Sequence, residues 1–250
     1  MPPIARQAAD LLLAARANPA LKLADLPEAL RPVDRPQAYA IQQLVAETFT
    51  GIGGWKVGSP SIDGPIQCGP MPLSGIMASP AAAPGAHTLR AIEAEVCFRI
   101  GHDLPPRATP YTRDEVIAAI AAAHPAIEIL DSRFIDPDAI GPFTNLSDTQ
   151  SHGGFIFGAG IADWHGIDFE AETVEQYVNG ELHMTHTGNP CVDMIRLVVW
   201  MANEGAVWAG GLKTGQYVTC GSWTGKSVVA EKSKVRVLFP SLGEVLFDYI

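Results

Sequence analysis

Charge, cysteine and long apolar runs are all scarce in this 250-residue chain. Only 18% of its residues are charged against 47% hydrophobic, a balance that excludes intrinsic disorder and allows a sizeable buried core. No run of about 18 apolar residues exists, and no basic stretch leads into an apolar one near Met1, so neither a membrane span nor a signal peptide is expected. The four cysteines, Cys68, Cys97, Cys191 and Cys220, show no CxxC spacing. That argues against a zinc or disulfide framework and suits reduced thiols in the cytoplasm. Lys and Arg number 17 against 27 Asp and Glu, a formal net charge of −10, which leaves no basic footprint for nucleic acid. Small molecules are the expected partners, and an anionic one would need a local positive group or a cation.

Familiar catalytic motifs are missing as well. GSWTGKS ends like a phosphate-binding loop, but only three residues separate Gly221 from Gly225 and a strand is expected to follow. Neither GIGGWKVG nor GAGIAD has the third glycine of a dinucleotide fingerprint or opens a helix. There is no GxSxG elbow, and His183 and His186 flank a predicted turn without other ligands, which reads as polar surface.

What is present divides in two. From Pro3 to Thr50, Ala, Leu and Gln recur at three- and four-residue spacing, with Asp34 placed to cap a helix opening at Arg35-Pro36. Thereafter short apolar runs of strand length are broken by Gly, Pro and Asn, among them GWKVGSP, IEAEVCFRI, PAIEILDSRF, GGFIFGAGI, SKVRVLF and EVLFDYI. Asn179-Gly180, between EQYV and ELH, predicts a two-residue hairpin turn. Helices are predicted over TRDEVIAAIAAAH and CVDMIRLVVWMANEG, the latter with Gly205 as its C-cap. The predicted fold class is α+β, with a helical N-terminal region over 1–75 and a β-sandwich roll over 76–250.

Within AIEAEVCFRI (91–100), the period of two puts Glu93, Glu95 and Cys97 on one face and Ala94, Val96 and Phe98 on the other. Two buried carboxylates so close would raise each other's pKa, a cost that a divalent cation removes. Glu128, alone among Ile127, Ile129 and Leu130, offers a third oxygen ligand for Mg²⁺, Mn²⁺ or Ca²⁺. Spacing alone leaves open both a metal site and the solvent side of an edge strand.

Several stretches occur in the order of the fumarylacetoacetate hydrolase superfamily: GWKVG at 54–58, IEAEVCFRI, PAIEILDSRF, NLSDTQSHGGFIFG at 145–158 and GQYVTCGSWTG at 215–225. With RPQAYAIQ upstream, the chain most resembles the 2-keto-4-pentenoate hydratase and 4-oxalocrotonate decarboxylase branch. That resemblance implies a β-roll catalytic domain and a Mg²⁺ or Mn²⁺ site at Glu93, Glu95 and Glu128. It further implies Lys56 as the active-site lysine and an assembly of several copies, in aromatic catabolism. The implied chemistry hydrates a 2-hydroxy-2,4-dienoate through an enolate, the metal chelating the acid's C1 carboxylate and C2 oxygen as a Lewis acid. Lys56 is expected either to carry a depressed pKa and move protons or to pair with the substrate carboxylate. Asp131, Ser132, Asn145, Ser222 and Thr224 are the candidates for substrate or ligand-shell contacts.

Two departures bear on the reaction. The stretch 71–87 contains no Asp or Glu where the hydratases carry acidic residues, and the Asn145 loop has Thr144 in place of Asp and extra residues from Asp148 to His152. Asp148 and His152 are the candidates to supply the missing proton transfer, against a plain surface-loop role. A decarboxylase or acylpyruvate-type hydrolase of the same superfamily is the first alternative, and a non-catalytic partner subunit the second.

Overall fold

A computed structural model describes residues 3–83 and 87–250; residues 84–86, at the end of the acid-free stretch, lie outside it. The chain opens with α1 (Pro3–Ala17) and α2 (Arg35–Ala46), followed by strands β1 (Ile52–Gly58), β2 (Gln67–Pro72), β3 (Ile76–Ala78), β4 (Ala81–Ala83) and β5 (Ala91–Ile100). Next come α3 (Arg113–Ala119), β6 (Ile120–Leu130), α4 (Pro142–Ser147), β7 (His152–Phe157), β8 (Thr173–Val178) and β9 (Glu181–Thr187). The chain ends with α5 (Met194–Trp200), β10 (Tyr217–Ser222), β11 (Ser227–Val228), β12 (Lys234–Phe239) and β13 (Gly243–Tyr249).

Local chemistry sets several of these boundaries. Asp34 accepts a hydrogen bond from the Gln37 amide at 2.9 Å and starts α2 as expected. Ile41, Leu44 and Val45 then share one helical face and pack on Ala5, Ala8, Ala9 and Leu12 of α1, with Leu26 and Phe134 closing this small core. Asn179 and Gly180 both have positive φ, 54° and 87°, and join β8 to β9 as the Asn-Gly pair predicts.

The strands form two sheets. The larger has eight strands in the order β2-β1-β10-β5-β6-β7-β3, with β11 pairing off β5; the smaller runs β4-β13-β12-β8-β9. Ile92, Ala94, Val96 and Phe98 of β5 and Ile127 and Ile129 of β6 meet Val235, Val237, Val245 and Phe247 of the smaller sheet in the main core. Each fully buried Ile, Val or Phe among them contributes about 1.5–3 kcal/mol. This mixed α+β sandwich leaves the opposite face of the larger sheet for the polar residues.

Three expectations need correction. The helix predicted over TRDEVIAAIAAAH stops at Ala119, although a capping box between Thr112 and Glu115 starts it as a helix should. Residues Ile120 to His124 instead extend β6, because Ala122, Ala123 and His124 pair with Arg99, Phe98 and Cys97; cross-strand pairing overrides alanine's helix propensity. Gly205 does not cap α5: the helix widens into a π turn over Met201–Gly205 that keeps Met201 and Ala202 in the core, and Gly210 and Gly211, both at φ 84°, turn the chain. Within 1–75 the helical part ends at Ala46, since β1 and β2 are members of the larger sheet.

Candidate metal centre and active site

β5 is a central strand, between β10 and β6, so Glu93 and Glu95 are not on the solvent side of an edge. Glu93 lies directly opposite Glu128 of β6, and Glu95 lies opposite Ser222 of β10. Lys56 of β1 is registered against Thr219 of β10. Four neighbouring strands thus bring Lys56, Glu93, Glu95 and Glu128 to the sheet face that turns away from the main core. One oxygen from each glutamate lies within 4.8 Å of the other two.

Burial dominates the electrostatics of this cluster. It pushes Glu93 up to about 7, with the neighbouring Glu128 charge adding to the effect. Glu95 is raised well above the ordinary carboxylate range by burial, then by Glu128 and Glu93, even though Thr219 Oγ1 donates to it. Glu128 goes the other way: burial opposes its charge, but Lys56 and His152 outweigh it and hold the group below its usual value. Lys56 Nζ donates to Glu128 Oε1 at 2.6 Å and to the Gln150 carbonyl at 3.0 Å. Burial works against the ammonium, yet Glu128 and Glu93 lift Lys56 above its ordinary pKa. In the metal-free site the direction for Lys56 is thus opposite to the expected depression.

Does this set of residues fit a cation? Glu128 Oε2 is buried and has no hydrogen-bond partner. Three carboxylates paired with one lysine leave a surplus of negative charge in a buried place, which a hard divalent ion with oxygen ligands would neutralise. The residues fit such an ion.

A cavity of about 580 Å³ opens over the cluster, with Lys56, Glu93, Glu95 and Glu128 in its wall. Of the other predicted contacts, Asn145 and Ser222 line it, and Asp131, Ser132 and Thr224 do not. The Asp131 carboxylate is taken by Lys22 at 3.0 Å and by the Leu89 amide at 3.2 Å. Ser132 Oγ, fully buried, donates to Asp148 and accepts from the Phe134 amide. Thr224 Oγ1 accepts from the Ala94 amide at 3.1 Å and so pins the loop after β10 to β5. Asp148 is no proton shuttle in the cavity, because its buried carboxylate pairs with Arg133. His152 is not on a surface loop either: it is fully buried behind Glu128, with Nδ1 at 2.9 Å from Oε1. His183 and His186 are exposed on β9, as read.

Spacing gave no hint of Gln150, Asn189, Asp138 and Lys226, which also line the cavity. Asn189 spends its amide on the Cys220 and Gly221 carbonyls, and Lys226 pairs with Asp138 at 2.6 Å near the mouth. Gln150 offers both its carbonyl, to Lys56, and a side-chain oxygen that is buried and unpartnered. It sits in a run of three non-glycine residues at positive φ, Thr149 (51°), Gln150 (52°) and Ser151 (60°). Each costs about 1 kcal/mol or more.

The same architecture occurs in 4-oxalocrotonate decarboxylase from Pseudomonas putida G7, solved with calcium and acetate: the TM-score is 0.81 at 21% identity, over 98% of this chain and 97% of that one. A fumarylacetoacetate hydrolase family protein from Yersinia pestis superposes with a TM-score of 0.60 at 15% identity, over 81% of this chain and 94% of that one. The fold is that of the fumarylacetoacetate hydrolase superfamily. In sequence, 2-keto-4-pentenoate hydratase 1 of Dechloromonas aromatica is 26% identical over 255 aligned positions, 97% of this chain and 96% of the relative. No protein-family model matches the chain. Within the fumarylacetoacetate hydrolase fold the cluster occupies one sheet face, so its geometry rests on strand register, whereas loops build the cavity wall around it.

Proposed function

We propose that the protein is a divalent-metal-dependent hydratase that adds water to a small 2-hydroxy-2,4-dienoate or 2-oxo-enoate. The observation that carries this is the convergence of Glu93, Glu95 and Glu128 within 4.8 Å beside Lys56 in the wall of the cavity. Glu93, Glu95 and Glu128 would hold Mg²⁺ or Mn²⁺, which when bound supplies Lewis acidity toward a 2-oxo acid. Support comes from relatives named as 2-keto-4-pentenoate hydratases and a 2-hydroxyhexa-2,4-dienoate hydratase, and from the decarboxylase of like fold solved with calcium or magnesium.

The residues of the chain divide the remaining work. Lys56, paired with Glu128, offers a positive charge that attracts the acid's negative charge and an Nζ placed to exchange a proton. Asn145 and Gln150 present amides along the wall, suited to orient the neutral part of the substrate. The surrounding strands bury Glu95 and Glu128 and half-bury Glu93, which strengthens each electrostatic contact. Among the described residues no helix is long and apolar enough to cross a membrane, and all four cysteines are free and buried. A cytoplasmic homo-oligomer fits this reading, and light scattering checks the number of copies.

One observation favours a second reading. Among the described cavity-lining residues, the only carboxylate outside the trio is Asp138, already paired with Lys226. Hydration needs a group to take a proton from water, whereas loss of CO₂ from a 2-oxo acid does not. Incubation with Mg²⁺ and 2-hydroxypenta-2,4-dienoate, and in parallel with an oxalocrotonate-type diacid, separates the two by NMR. The hydratase assignment expects a hydroxylated 2-oxo acid from the first substrate. CO₂ release from the second without hydration of the first overturns it, and turnover of neither points to a non-catalytic subunit.

A further inference from the structure

β7 pairs with β6 in a register that slips once. Glu128 faces Phe155 and Ile129 faces Gly154, but Leu130 faces His152, so Gly153 is the extra residue of a bulge. Regular alternation would turn His152 and Phe155 to opposite faces; the bulge turns both to the face that carries Glu128. Bulges next to functional sites commonly re-aim one side chain in this way. The bulge favours glycine, since a Cβ on Gly153 would lie tight against the backbone, 3.0 Å from the Asp131 amide nitrogen and 3.1 Å from the Ile129 carbonyl oxygen.

The re-aimed ring meets only one oxygen of Glu128. Nδ1 stands 2.9 Å from Oε1, the same oxygen that takes Lys56 Nζ at 2.6 Å, while Oε2 is buried and unpartnered. Because an ionised carboxylate only accepts, Nδ1 carries the proton, which fixes the tautomer. A glutamate's terminal torsion is broad and two-fold, so one donor on a flexible lysine stem would not hold the carboxylate plane. A second donor, on a rigid strand and on the same oxygen, does.

We propose that His152 is a positioning residue for the metal centre: through Nδ1–H it locks Glu128 so that Oε2 is presented to the cation held with Glu93 and Glu95. This rests on the metal-dependent reading above. His152 is fully buried and does not line the cavity, so it touches no substrate and acts only through Glu128.

Calorimetric titration with Mg²⁺ alone tests it on wild type, His152→Leu and His152→Asn. The asparagine amide can stand where Nδ1 stands. Losing such an outer partner weakens metal binding about 10–100-fold, expected for His152→Leu, while His152→Asn should stay within about threefold of wild type. A merely structural role would weaken both alike, and that result, or unchanged affinity in His152→Leu, overturns the proposal. Nitrogen-15 NMR of the wild-type imidazole needs no variant: the Nδ1-protonated tautomer supports the lock and the Nε2-protonated one refutes it. Absence of Mg²⁺ binding by the wild type itself would overturn the metal reading and the proposal with it, a result distinct from a failure confined to the variants.

Discussion

Lys56 and Glu128 are 72 residues apart in the chain, yet their side chains meet at 2.6 Å with both residues buried. The pair joins β1 to β6 across β10 and β5, so the charge balance of the site and the order of the strands depend on each other.

Replacing Lys56 by Met should therefore destabilise the metal-free protein as well as abolish turnover. It leaves Glu128 charged in a dry place with His152 as its one side-chain partner, and breaking a buried pair costs about 3–5 kcal/mol. Urea unfolding without metal measures the loss, and saturating Mg²⁺ should restore part of it. A wild-type midpoint in the variant would refute the account.

Arg133 and Asp148 form a second buried pair, and Arg133 also donates to the His152 carbonyl at 3.0 Å. Arg133→Met should cost about 3–5 kcal/mol in urea unfolding, because it removes the buried counter-charge of Asp148 and leaves only the neutral donors Ser132 Oγ and the residue-133 amide. A loss below about 1 kcal/mol would mean that the segment is held by other contacts.

Gly54 lies in β1, two residues before Lys56, with no space for a side chain: a Cβ would lie 2.4 Å from the Tyr217 carbonyl oxygen and 2.7 Å from Met71 Cε. Gly54→Ala should cost about 1–3 kcal/mol in thermal unfolding and reduce turnover, as β1 and Lys56 must shift. Gly141→Ala, where no atom lies within 4 Å of the added Cβ, is the control and should stay within about 0.5 kcal/mol of wild type.

Glu115 caps α3 and pairs with Arg107; hydrogen bonds from Arg107 and the Thr112 amide pull its carboxyl down to about 2. A depressed acid stabilises the fold above its unfolded pKa, near 4.5, and loses that contribution as pH falls toward 2. The melting-temperature gap between wild type and Glu115→Gln should be full at pH 6 and close between about pH 4.5 and 2. A gap independent of pH would place the effect elsewhere.

The carboxylate face was legible because a period of two needs no tertiary knowledge: Glu93 and Glu95 had to share a side, and Glu128 stood out in an apolar run. The resemblance of ordered motifs supplied Lys56. Illegible were features made by pairing at a distance. β2, β3 and β4 are short and rich in Pro, Gly, Met or Ala, so they are strands only because neighbours hydrogen-bond to them. His152 looked like an exposed loop residue because the bulge at Gly153 depends on the register with β6. Asp131 and Ser132 follow Glu128 in sequence but leave the site at once, drawn away by Lys22 and Asp148.

The left-handed run at Thr149 to Ser151 is anchored on several sides: Arg16 donates to Thr149, the Asp131 amide to the Ser151 carbonyl, Ser151 Oγ to Asn145, and Lys56 to the Gln150 carbonyl. Two of these anchors are backbone carbonyls, at Gln150 and Ser151, and survive a change of side chain but not a change of length. Adding or removing one residue would swing the Gln150 carbonyl off the ammonium and unbalance the buried carboxylates, so insertions tolerated by an ordinary surface connection would here disable the centre.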